Sequence, residues 1–482
     1  MKATLAQRPA RSRRPTAGCH VNDVHSQLND TVVKRIARPH GTADLCGIVA
    51  SAARSGTGVG LCGSRHAMGG QQFARGTQLV DVSWMNRVLD VDADRGLVTV
   101  EAGIDWLQLV THLQWAFPDQ AAAWGIVQKQ TGADRLTIGG ALSANIHGRG
   151  LRLRPVVGDI EWFDLVNSRG ELVRCSRSVN PRLFALAIGG YGLFGAVARV
   201  TLRLARRQKV ERRVAIAAVD DLPALFDARI SQGYEYGDFQ FATDPASPEF
   251  LQAGVFSCYR AVPADTPVPG DQRALTPHEW RRLIHLAHTD KSRAFARYSR
   301  YYMSTDGQIY WSDTHQLSAY PDGYHDQLDR DLGARAKGSE MISELYVPRP
   351  ALPDFMAAVR ADARQHAVDI IYGTIRIIER DDETVLAWAR EPWACIVFNL
   401  HVDHTAEGIA RAAEDFRRLI DRAAALGGSY YLTYHRWATA GQVLRCHPAL
   451  PGFLAAKRCA DPGAVFRSDW HTHHVQLLGG GS

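Results

Sequence analysis

Two glycine-rich stretches, one with a histidine at its centre, hold the residues of this chain best suited to chemistry. Residues 61–73 read L-C-G-S-R-H-A-M-G-G-Q-Q-F, and Gly58, Gly60, Gly63, Gly69 and Gly70 crowd around His66. Backbone so poor in Cβ atoms turns sharply or lies against a ligand. Its consecutive N–H groups make a nest for anionic oxygens, pyrophosphate included. Residues 131–150 read T-G-A-D-R-L-T-I-G-G-A-L-S-A-N-I-H-G-R-G. There Gly139 and Gly140 let backbone approach phosphates, while Thr137, Ser143 and Asn145 can donate to phosphate, ribose or ring oxygens.

Gly58-Val-Gly60-Leu-Cys-Gly63 also satisfies G-x-G-x-x-G. That fingerprint needs a strand before it and a helix after it. Here a helical pattern (43–54) precedes and an alternating strand-like run (77–82) follows. Gly190-Tyr-Gly192-Leu-Phe-Gly195 has the same inverted context. The two matches therefore exclude the usual dinucleotide-binding fold and point to another use of glycine around a nucleotide.

The segment G-S-R-H-A-M-G-G resembles the G-x-G-H-S-x-x-G signature of flavoenzymes in the vanillyl-alcohol-oxidase and para-cresol-methylhydroxylase (PCMH) superfamily. Arg65 stands for the second glycine and Ala67 for the serine. Relatives include alditol and aldonolactone oxidases, cytokinin dehydrogenases and decaprenylphosphoryl-ribose oxidases. Further segments resemble the same superfamily: V-T-V-E-A-G-I-D-W at 98–106, I-G-G-A…I-H-G at 138–148, N-P-R-L-F…G-G-Y-G-L-F-G-A-V at 180–197, and K-R-C-A-D-P-G-A-V-F at 457–466. The resemblance implies FAD as cofactor. It assigns cofactor contacts to Gly63, Ser64, Arg65, His66, Ala67, Met68, Gly69 and Gln71. A second set is Gly132, Thr137, Gly139, Gly140, Ser143, Asn145 and His147, and a third is Gly192, Gly195 and Val197. In many members the motif histidine is bonded to the flavin 8α-methyl, a role that falls on His66. Others hold FAD without a bond.

Oxidation of an alcohol by a flavin needs a C–H group over N5, a base for the O–H proton, and donors near the reduced ring. His147 either orients its loop or touches the flavin. Arg149 can hold an acidic or phosphate-bearing substrate bidentately. The decaprenylphosphoryl-ribose and alditol oxidases carry a lysine where Tyr430-Tyr-Leu-Thr-Tyr434-His435 stands here, so Tyr434 or His435 takes the place of the base. Arg376 resembles the arginine of the E-I-R element of alditol oxidases, with Thr374 in place of its glutamate. Cys395 falls near the active-site cysteine of decaprenylphosphoryl-ribose oxidases and is either a substrate-side residue or an inert buried thiol. No metal is expected, since His471, His473 and His474, and likewise His401 and His404, show no four-ligand pattern.

The elements that must position these residues come from a chain of 482 residues, long enough for two or three domains. Its net charge of +6 is modest. The basic residues at the N-terminus read as a disordered end, and those at 203–213 lack interleaved aromatics and read as a solvated edge, so no nucleic-acid partner is expected. No run is long and apolar enough for a membrane span. No apolar segment follows Arg13-Arg14, so no export signal is expected. Eight scattered cysteines form no disulfide framework and suit a reducing cytoplasm.

The fold class expected is α+β: a two-part PCMH-type FAD-binding domain (29–206) and a substrate domain (207–440) with a mainly antiparallel sheet covered by helices. Residues 1–28 are expected to form a disordered basic tail. Residues 441–478 return to the FAD domain, and 479–482 read as an appended linker. The function expected is transfer of a hydride from a small sugar-, polyol- or lactone-like alcohol to flavin N5, with dioxygen or another acceptor reoxidising the flavin. Alternatives are a flavin-dependent C=C reductase, an amine oxidase resembling cytokinin dehydrogenases (Gly70-Gln71 resembles their G-Q), and a non-catalytic flavin-binding protein.

Overall fold

The computed structural model describes residues 18–117, 123–132, 134–318 and 323–479. The tail up to residue 17 and the last three residues of the expected linker lie outside them. Residues 18–28, assigned to that tail from the sequence, are part of the fold. The strand Cys19–Val21 pairs with Thr31–Val33. Between them Asp23 accepts the backbone N–H groups of His25, Ser26 and Gln27, which closes a tight turn. Asn29 then donates to the Met68 carbonyl at 2.7 Å, bracing the first glycine loop.

A small parallel sheet follows, in the order Arg35–Ala37, Gln78–Asp81, Val59–Cys62. The helix Thr42–Ser55 forms its crossover and ends at Gly56, whose φ of 65° is the left-handed cap glycine adopts readily. The sequence reading placed Gly58–Gly63 in a loop. Residues 59–62 are instead a strand, because Val59 and Cys62 are buried and their backbone pairs with Gln78–Asp81. The ligand-facing turn starts only at Gly63. The second part is an antiparallel sheet ordered Leu172–Ser176, Ile160–Val166, Ala196–Arg206, Leu97–Glu101, Val88–Asp92. The second glycine stretch, read as a loop, contains the short helix Ile138–Ala144. Thr137 caps it, accepting from Gly140 N–H at 3.3 Å.

Residues 207–440 build an eight-stranded antiparallel sheet. Its order is Ile309–Trp311, Lys209–Ala218, Ala253–Ala261, Tyr234–Phe241, Ile370–Ile378, Trp393–Asp403, Gly338–Pro348, Ser429–Tyr430. Strand periodicity divides its two faces. Phe239, Ile375, Ile396, Phe398, Met341 and Leu345 are buried in the main core, with Phe355 and Val359 of Leu352–His366 and Phe416 and Ile420 of Ala406–Ala425. Fully burying each such side chain contributes about 1.5–3 kcal/mol. The alternate residues face a cavity, roofed by the helices Pro277–Thr289 and Lys291–Met303. Helices therefore lie on both sides of this sheet. No helix among the described residues is long and apolar enough to cross a membrane.

The basic run at 203–213 is not simply a solvated edge. Arg207 pairs with Asp313 at 2.8 Å, both buried, where the chain crosses between the two large sheets. Arg212 is buried and lines the cavity. The C-terminal segment adds to the small sheet: Val59 bridges Phe466 in parallel, and Arg467 N–H donates to Val59 O at 2.9 Å.

Candidate functional site

A cavity of about 690 Å³ lies where the glycine stretches meet the inner face of the eight-stranded sheet. Ligand pockets commonly span ~300–1,000 Å³. Most residues singled out from the sequence line it: Gly63 to Met68, Gln71, Gly132, Thr137, Gly139, Gly140, Ser143, His147, Arg149, Gly192, Gly195, Val197, Arg376 and Tyr434.

Close packing explains the glycines. A Cβ at Gly63 would stand 2.2 Å from Thr137 Oγ1, and one at Gly139 would stand 2.8 Å from the Ala102 Cβ. A Cβ at Gly69 would meet the Tyr434 carbonyl at 2.3 Å. These contacts press both stretches and the 430–434 segment together around the cavity. Gln71 spends its amide on the same joint, accepting from Gly69 N–H at 3.0 Å and donating to Leu432 O at 2.8 Å. Arg65 occupies the left-handed region at φ 60°. The superfamily signature has glycine there, which suits that conformation.

His66 lines the cavity, and its Nδ1 lies 2.7 Å from His25 Nε2. Burial, then the neighbouring His25, lowers its pKa to about 3, so the ring stays neutral. His25 belongs to the supposed tail, and nothing in the sequence singled it out.

The centre of the site is another residue the motifs did not reveal. Glu344 accepts from His147 Nε2 at 2.7 Å, Tyr346 OH at 2.8 Å, Cys395 Sγ at 3.0 Å and Tyr434 OH at 3.0 Å. Burial pushes its carboxyl up, but the His147 ring and these hydrogen bonds outweigh it and hold the pKa at about 2. Burial and this carboxylate push the Tyr434 phenol well above its usual range, so Tyr434 keeps its proton and directs it at Glu344. Cys395 is pushed up in the same way and sits behind Glu344 without lining the cavity.

Two further assignments lie off the cavity wall. His435 does not line the cavity; it stacks on Trp437 at 4.3 Å, and burial lowers its pKa to about 4. Asn145 caps its helix in the left-handed region and bonds Asp381 and Val157 N–H, holding the loop from behind. Arg149 lines the cavity; its terminal nitrogens are engaged by the His315 carbonyl and by Asp238 at 3.5 Å, while its Nε has no hydrogen-bond partner among the described residues.

Along the sheet, Gln240 Oε1, Thr374 Oγ1, Arg376 Nε and Asn399 Oδ1 are buried without a hydrogen-bond partner among the described residues, and all four side chains line the cavity. Buried polar groups are normally paired. This row therefore leaves polar atoms open to a ligand. Nearer the glycine stretches, bare backbone and Ser64, Thr131 and Ser143 offer the donor set a dinucleotide diphosphate and ribose require. These residues fit FAD.

The family model described as FAD binding domain matches residues 33–176. Cytokinin dehydrogenase 10 of Oryza sativa subsp. japonica is 30% identical over 42% of this chain and 39% of its own length. The mitochondrial L-galactono-1,4-lactone dehydrogenase of Brassica oleracea is 28% identical over 42% of the chain and 33% of its own length. With both plant proteins the match spans well under half of the relative. The L-gulono-1,4-lactone dehydrogenase of Mycobacterium tuberculosis is 23% identical over 90% of this chain and 94% of its own.

Proposed function

On the premise that residues 33–176 form a FAD-binding domain of the vanillyl-alcohol-oxidase and PCMH superfamily, we propose that the chain is a FAD-dependent oxidoreductase. It oxidises a hydroxyl-bearing carbon of a sugar-, polyol- or lactone-like substrate. The observation that carries this reading is the row of unpaired polar atoms on Gln240, Thr374, Arg376 and Asn399. A polyhydroxylated molecule would pair them all.

Bound FAD would supply the hydride acceptor. Arg376 orients the substrate by donating from Nε to one of its oxygens. Tyr434 is the hydroxyl within the cavity that already points its proton at a carboxylate. Its oxygen receives the substrate's hydroxyl proton as its own moves to Glu344, and His147 balances that carboxylate from the far side. The helices Pro277–Thr289 and Lys291–Met303 cover the reacting atoms. His66 is the attachment point for the cofactor, through the ring edge not engaged by His25.

Anaerobic mixing tests the reading. FAD-loaded protein loses its yellow absorbance with a hydroxylated sugar lactone or an alditol and keeps it with a secondary amine. Bleaching by the amine alone would select the amine-oxidase reading, and bleaching by neither would favour a non-catalytic flavoprotein.

A further inference from the structure

At one edge of the cavity the same sheet face carries a cluster with no place in this reaction. Glu340 on Gly338–Pro348 and His401 on Trp393–Asp403 stand directly opposite each other in register. His288, from the helix Pro277–Thr289, places Nε2 2.9 Å from Glu340 Oε1. His325, from Tyr324–Leu332, places Nε2 3.5 Å from Glu340 Oε2. One ligand atom each of His288, Glu340 and His401 lies within 4.8 Å of the other two. The side chains of His288, His325 and Glu340 are 4%, 3% and 9% exposed, so three elements bury them against one carboxylate.

These groups are close without being hydrogen-bonded. His288 Nε2, His325 Nε2, His401 Nδ1 and Glu340 Oε1 all lack a hydrogen-bond partner among the described residues. His288 Nε2 and Glu340 Oε1 stand 2.9 Å apart without forming a hydrogen bond. A tetrahedral ion with ligand bonds of about 2.0–2.1 Å spaces its ligands about 3.3 Å apart. The His288–Glu340 contact of 2.9 Å lies somewhat under that spacing, and the His401 ligand atom lies within 4.8 Å of both. Gly338 makes room for the cluster, since a Cβ there would stand 2.6 Å from His401 Cε1. The similar group His147, Glu344 and Cys395 differs, because hydrogen bonds already occupy both oxygens of Glu344.

We propose that His288, His401 and Glu340 bind a divalent transition-metal ion, Zn2+ by the donor set, with His325 bracing the second carboxylate oxygen. Two imidazoles and one carboxylate leave a fourth position open. The ion ties the roof helix Pro277–Thr289 to the sheet beneath. Ala287 and Tyr324, beside two of these histidines, and Glu340 itself line the cavity, so occupancy fixes the shape of that wall.

The test uses the full FAD-loaded chain, stripped with a chelator and titrated with Zn2+, with bound metal measured after gel filtration and affinity by calorimetry. One zinc per chain is expected. Glu340→Gln and His401→Asn should abolish stoichiometric uptake while flavin content and the circular dichroism spectrum stay unchanged. His325→Gln, the milder change, should weaken binding about 10–100-fold, the usual loss when a group behind a ligand is removed. His473→Gln, in the separate helix Asp469–Leu477, should change nothing. No stoichiometric uptake by the parent chain, uptake indifferent to Glu340→Gln, His401→Asn and His325→Gln, or uptake lost in His473→Gln would overturn the assignment.

Discussion

At Tyr434 a hydroxyl lines the cavity beside Glu344 and donates to its carboxylate, so it is the residue whose removal should touch chemistry and little else. Tyr434→Phe should lower kcat by about 10²–10⁴-fold, the range of a lost general base, with KM nearly unchanged. Arg376→Met removes a charge-assisted hydrogen bond of about 1.5–3 kcal/mol and should act mainly on KM. Steady-state kinetics on both variants decide the roles; an unchanged kcat in Tyr434→Phe would remove the proton path proposed here. The glycines and His66 were legible in the sequence because close approach of backbone demands a residue type at a fixed spacing. Glu344 and His25 were not. A carboxylate on a buried strand and a histidine in a polar segment carry no spacing signal, and only the tertiary fold sets them against His147 and His66. His435, the suitable base by type alone, is occupied with Trp437 instead.

Among the elements, the return of the C-terminal segment to the small parallel sheet depends on Asp461. Its carboxylate accepts Val465 N–H at 3.0 Å and Phe466 N–H at 2.8 Å while pairing with Lys457, and both side chains are buried. Asp461→Ala leaves an ammonium buried without its partner and should cost about 3–5 kcal/mol. Urea unfolding would read this as a lower midpoint at similar slope, and a change under 1 kcal/mol would show that the segment docks by other means. The mainly antiparallel, helix-covered sheet expected of the substrate domain is found, with Ile370–Ile378 among its strands and Ala406–Ala425 among the helices packed on it. The short helix Ile138–Ala144 was hidden because two glycines near its start read as loop. The strand Val59–Cys62 was hidden by glycines on either side of an apolar pair.

For the molecule as a whole, the two glycine stretches and the eight-stranded sheet converge on one cavity while several histidines are kept neutral inside. Burial lowers the pKa of His435 and His474 to about 4 and that of His447 to about 3, against about 6.5 unfolded. The unfolded chain therefore takes up protons first as pH falls. The stability these groups give is fully present above pH ~6.5 and is lost progressively toward pH 4, by up to about 1.4 kcal/mol per group per pH unit. Glu344, held at about 2, adds to the loss only below its ordinary range near 4.5. Melting temperature should hold between pH 8 and 7 and decline from 6.5 to 5; a constant value down to pH 5 would contradict the burial of these rings. The fold class was legible at this scale because the two glycine stretches and the segments at 98–106, 180–197 and 457–466 resemble the motifs of the PCMH-type flavoenzymes. The way the sheet divides into a core face and a ligand face was not, since it depends on register between strands far apart in sequence. The most direct test of the central claim, FAD in this cavity against His66, is a visible spectrum of the purified protein followed by acid denaturation and in-gel flavin fluorescence, beside His66→Ala. Yellow protein that stays fluorescent after denaturation, with the fluorescence lost in the variant, is the predicted result. Yellow protein whose flavin washes free would refute the bond at His66 alone, and colourless protein that takes up no FAD would contradict the account.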